Sequence, residues 1–116
     1  MAYWGAGPAE NDYAFDEVGV IALLIKERML KDAEAVIKEA HPEQGIVASV
    51  RCLRLLDAEF PKCVRLAFRK KGLANAERLF EKWYGAVSGK LPEKHREAIR
   101  SGAHAEFSLY REQLGA

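Results

Sequence analysis

Between residues 12 and 40 apolar side chains recur at steps of three and four: Phe15, Val18, Ala22, Ile25, Met29, Ala33, Val36 and Ala40. That is the period of a helix with one buried face, and Leu24, Leu30 and Ile37 widen the stripe. Asn11 or Asp12 is placed to accept hydrogen bonds from the free N–H groups of the first turn, and Asp16 and Glu17 suit the positive end of the helix dipole. A bend or break is expected near Lys31-Asp32, where Asp32 can serve as a second N-cap. Pro42, in His41-Pro42-Glu43-Gln44-Gly45, ends this segment because it disfavours helical geometry at His41 and supplies no N–H of its own.

A second helix follows. Ile46, Val47, Val50, Cys52, Leu53, Leu55 and Leu56 are crowded enough to suggest a central helix covered on more than one side, with Arg51 and Arg54 on its exposed edge. Pro61 is well placed at the first position of a third helix with Cys63, Val64, Ala67 and Phe68 inward. Gly72, behind Arg69-Lys70-Lys71, reads as that helix's C-terminal stop. Residues 73–87 form an aromatic-rich helix with Leu79, Phe80, Trp83, Tyr84 and Val87 on one side and Glu77, Arg78, Glu81 and Lys82 on the other. Ser88-Gly89-Lys90-Leu91-Pro92 breaks the chain. A last helix carries Ala98, Ile99, Ala103, Phe107, Tyr110 and Leu114, weakened by Ser101-Gly102. Every pattern has helical period, so the expected fold is all-α: a compact bundle of four to six helices.

Length and composition agree. At 116 residues, 49% hydrophobic and 30% charged, residues 1–116 form one helical domain rather than two domains or a disordered chain. The longest apolar run, residues 18–25, closes at Lys26, Glu27 and Arg28, far short of the ~20 residues a membrane span needs. The opening Met1-Ala2-Tyr3-Trp4 shows no basic stretch leading into an apolar one, so a cytoplasmic location and no membrane partner are expected. Cys52 and Cys63 read as reduced core thiols.

The net charge of +1 hides an asymmetry: residues 1–50 carry −5, residues 51–100 carry +7 and residues 101–116 carry −1. Arg51, Arg54, Arg65, Arg69, Lys70 and Lys71 are therefore candidate interaction residues, for an acidic protein surface or a nucleic acid. The 3.6-residue period scatters them over several faces, which weakens the nucleic-acid case.

Catalytic patterns are thin. Each histidine precedes a glutamate by two positions, as His41-Pro42-Glu43, His95-Arg96-Glu97 and His104-Ala105-Glu106. Positions i and i+2 point to different sides of a helix, and the thiolate element that completes a zinc deaminase is missing, so no metal is expected. Ser49, Ser88, Ser101 and Ser108 lack an activating context, and Gly5-Ala6-Gly7 lacks the third glycine and preceding strand of a dinucleotide site. No catalytic residue and no cofactor is assigned.

The N-terminus is distinctive. Gly5 and Gly7 permit sharp turns, Pro8 stiffens the exit, Asn11 or Asp12 caps the helix, and Trp4 can fold back as an apolar lid, giving an expected ordered turn segment. Trp4, Gly5, Gly7, Pro8, Glu10, Asn11 and Asp12 resemble the opening of a family of short, mostly bacterial proteins of unknown function that begin with a W-G-x-G-P-F-E-N-D-like motif. Ala9 stands where that motif has Phe. The resemblance spans about residues 3–16 and implies a small helical protein of bacterial origin, without an activity. The functional expectation is a non-enzymatic protein–protein interaction module, a small adaptor or immunity-type inhibitor, whose partner is another protein or a second copy of itself. The alternatives are a nucleic-acid-associated protein using residues 51–100 and, third, a cofactorless enzyme.

Overall fold

Five α-helices and one 3-10 turn follow one another in a computed structural model that describes residues 5–7 and 11–115. They are α1 (Asp12–Lys38), α2 (Ile46–Glu59), α3 (Pro61–Val64), α4 (Lys70–Val87), the 3-10 turn Ser88–Lys90, and α5 (Glu93–Gln113). No strand occurs among the described residues, and the all-α bundle expected from the patterning is observed. Trp4 and Pro8 lie outside the described residues, and the expected packing of Trp4 with them.

α1 starts where the sequence places it, with Asn11 rather than Asp12 as the cap: the Asn11 side chain accepts from the Ala14 N–H at 2.8 Å. The helix then runs unbroken for 27 residues, correcting the expected break at Lys31-Asp32. Met29 and Ala33, on either side of that point, bury along one line, so a single rigid helix satisfies both, and Asp32 stays an ordinary exposed position. α1 ends in a Schellman turn. The His41 N–H reaches the Val36 carbonyl at 2.9 Å, the Ala40 N–H reaches the Ile37 carbonyl at 3.1 Å, and Ala40 takes the left-handed conformation with φ 49°. Two long-range bonds hold the turn on the bundle: the Trp83 indole N–H donates to the His41 carbonyl at 2.7 Å, and Lys90 Nζ to the Ala40 carbonyl at 3.1 Å.

α2 packs against α1, α3, α4 and α5 and is central in that sense. It is not covered all round. Ile46, Val50, Leu53 and Asp57 form one buried line at steps of four and three, while Leu55 and Cys52 face solvent, which corrects the reading of Cys52 as a core thiol. Cys63 is buried as expected.

The third segment departs most from expectation. α3 lasts only four residues, the chain turns through residues 65–67, and Gly72 lies within the first turn of α4 rather than at the end of α3. Phe68, just beyond the turn, and Leu73, in the first turn of α4, both reach the core, and the backbone between them is extended at Arg69, φ −137° and ψ −163°. Gly72 serves close approach: a Cβ there would come within 2.8 Å of the Phe68 ring. Arg69, Lys70 and Lys71 therefore stand at the positive end of a helix, opposite to the expected placement.

The core is aromatic. Phe80 lies 5.4 Å from Trp83 and 5.8 Å from Phe107, centroid to centroid, and Phe68 lies 5.7 Å from Tyr110. The inward set of α4 is the one the sequence shows, and α5 continues through Ser101-Gly102 to bury Ala103, Phe107 and Tyr110. The molecule measures 54 × 26 × 20 Å. Its radius of gyration, 16.1 Å, exceeds the ~13 Å of a compact domain of this length, in keeping with a first helix ~40 Å long.

Candidate interaction surfaces

The six candidate basic residues divide into two groups. Arg54 is largely covered, with 16% of its side chain exposed, and its Nε donates to the buried Glu106 carboxylate at 2.8 Å. Arg51, 62% exposed, reaches the same carboxylate at 3.6 Å. Arg65 Nε and Nη2 both donate to the fully buried Asp57, and Nη2 also donates to the Gln113 carbonyl. The hydrogen bond to Asp57 is the main reason the Arg65 guanidinium is held above its ordinary pKa. The Gln113 side-chain amide completes the cluster by donating to Asp57 at 3.0 Å and to the Arg54 carbonyl at 2.9 Å. Arg54 and Arg65 thus fasten α2 to α5 and to the α3–α4 turn, which the positive count of residues 51–100 does not reveal.

Arg69, Lys70 and Lys71 are exposed and form no ion pair among the described residues. With Arg65 and Leu114 they line a cavity of about 320 Å³ at the start of α4, a helix with no acidic residue in its first turn and no side-chain cap. Three of the six basic residues thus share one place on the surface with part of a fourth.

The histidines do not converge. His41 Nδ1 accepts from the Glu43 N–H at 3.1 Å, and Glu106 is taken up by the arginines rather than by His104. His104 pairs instead with Glu81, which Arg100 also contacts at 3.2 Å. Burial alone would raise the Glu81 carboxyl, but the hydrogen bonds from His104 and Arg100 outweigh it and hold the group below its usual value. Ser101, one turn from His104, gives its hydroxyl to the Glu97 carbonyl at 2.6 Å, so its proton is directed at backbone rather than at a base. Among the described residues, no group of three or more His, Cys, Asp or Glu side chains has the arrangement of a metal site. No described helix is long and apolar enough to cross a membrane.

The feature that patterning missed lies on α1. Ala22, Met29 and Ala33 face the bundle, as expected. At 100° per residue Tyr13, Val20 and Leu24 fall within about 40° of one another on the opposite side, with Ile21 and Leu23 on the two shoulders. All five are exposed, Tyr13 by 65% and Leu24 by 59%, although Leu24 was expected to extend the inner stripe. Beside them a groove of about 350 Å³ runs between α1 and the α3–α4 turn, lined by Phe15, Asp16, Gly19, Val20, Leu23, Leu66 and Ala67, with Leu66 71% exposed. The signal was present in the sequence: residues 18–25 are apolar at every position, more than one buried face requires.

No family model matches the chain, and no characterised protein or solved structure is significantly similar to it.

Proposed function

We propose that the protein is a non-enzymatic interaction module that binds another polypeptide through the outward face of the first half of α1. One observation carries this reading: Tyr13, Val20 and Leu24 form an apolar line on the side of α1 opposite its buried line. Five large apolar side chains exposed within twelve residues are unlike the scattered single ones of an ordinary surface. Helix faces of this kind are a common mode of polypeptide recognition. Charge adds selectivity, because residues 12–17 carry three acids and no base while residues 26–31 carry three bases and one acid.

A photo-crosslinking residue at Leu24, introduced in producing cells, tests the reading. Covalent adducts with a polypeptide are expected from Leu24 and not from exposed Lys94 on α5. Equal labelling at the two positions, or none at Leu24, rejects it.

The cavity at Arg65, Arg69, Lys70 and Lys71 favours a second reading, an anionic partner such as a nucleic acid. Titration with mixed DNA and RNA separates the two: phosphate binding weakens steeply as salt rises and is lost on reversing Lys70 and Lys71, whereas docking on α1 survives both changes.

A further inference from the structure

We infer that the outward face of α1 pairs with the same face of a second copy of this chain, the two helices running antiparallel about a two-fold axis near residue 22. The inference rests on the reading of that face as a polypeptide-binding surface and names its occupant. The apolar line is symmetric about that point, since Val20 and Leu24 lie two residues to either side of it and both are exposed.

Charge fixes the direction. Residues 12–17 contain three acids and no base, whereas residues 26–31 contain three bases and one acid. These segments lie at nearly equal distances on either side of residue 22, so an antiparallel pair sets the acidic end of each copy against the basic end of the other. Parallel pairing would set acids against acids and bases against bases. Along the helix, Glu17 and Arg28 occupy the same shoulder of the apolar line, and a two-fold axis brings Glu17 of one copy beside Arg28 of the second copy. Lys31 lies on the same line as Tyr13, so its ammonium reaches the ring of the second copy's Tyr13, a cation–π arrangement. Glu17, Arg28 and Lys31 are all exposed and available for these contacts. Antiparallel helix dipoles also attract. A contact confined to one face of residues 13–31 engages fewer than the ~20–30 residues a side of a standard interface, so the dimer is a reversible one.

Sedimentation equilibrium of the full chain tests this. The expected result is a monomer–dimer equilibrium with a dissociation constant on the order of tens of micromolar. Glu17→Arg and Arg28→Glu should each weaken it about tenfold, and the double reversal should return it to within about threefold of the parent. Leu24→Glu should leave a monomer with unchanged helical circular dichroism. A parent chain that is monomeric throughout the millimolar range overturns the proposal, even if Leu24 crosslinks to some other polypeptide, a result that leaves the interaction reading intact. A dimer that survives Leu24→Glu, or a double reversal no better than the single ones, also overturns it.

Discussion

The Arg65 guanidinium closes on the Asp57 carboxylate through two hydrogen bonds of 3.0 and 3.1 Å, with the carboxylate wholly buried and the arginine side chain 36% exposed. The two partners therefore stand differently towards water. Replacing Arg65 with Ala strands a buried carboxylate with Gln113 as its one remaining hydrogen-bond donor among the described residues, at an expected cost of about 3–5 kcal/mol. Asp57→Asn leaves an arginine that can turn to solvent and an amide that keeps some of the bonds, so about 1–2 kcal/mol is expected. Urea unfolding of both variants checks the order; equal losses would mean that the asymmetry of burial is unimportant here.

Ala40 holds a left-handed conformation at the end of α1, which costs an L-residue roughly 1 kcal/mol that glycine does not incur. Ala40→Gly should stabilise the protein by about 0.5 kcal/mol after the loss of its half-buried methyl, raising Tm by a few degrees. A lower Tm would show that the methyl contact outweighs the backbone gain.

Gly72→Ala should act in the opposite sense. Alanine gains about 1 kcal/mol of helix propensity, but its Cβ would meet the buried Phe68 ring at 2.8 Å. Overpacking of a fixed aromatic is the larger effect, so a net loss of about 1–2 kcal/mol is expected by chemical denaturation.

Burial, reinforced by the nearby Asp57 carboxylate, pushes the Tyr110 phenol well above its ordinary value. A phenol whose pKa is raised by folding contributes stability that is complete below the unfolded value near ~10 and is lost as pH climbs above it. In alkaline titration the phenolate absorbance should therefore grow in two stages, the later one accompanying unfolding. The later absorbance should lose the Tyr110 contribution in Tyr110→Phe; a Tyr110 that ionises in the first stage with the helices intact would contradict this account.

Cys52 is exposed, while burial pushes the Cys63 thiol above its usual value. A thiol reagent at pH 8 should modify Cys52 rapidly and Cys63 only as the fold opens. Cys52→Ser should abolish the fast phase. Rapid modification of that variant would place Cys63 at the surface.

The sequence by itself determined the helical class, the inner line of α1 and that of α4, because a 3.6-residue repeat buries the same positions whatever the helix packs against. It also determined the N-cap, narrowed to Asn11 or Asp12, and the end of α1 before Pro42, since caps and prolines act through backbone groups a few residues away. Tertiary structure decided what depends on distant partners. Nothing local assigns Arg54 to Glu106 or Arg65 to Asp57 across 52 and 8 residues, so a count of basic residues over-states the free positive surface. The short α3 and the new start at Lys70 follow from placing Phe68 and Leu73 in one core, and that demand overrode the good local stop at Gly72. Leu24 faces outward because the helices packed on α1 cover only the side of Ala22, Met29 and Ala33, and Leu24 lies about 160° around the helix from Ala22.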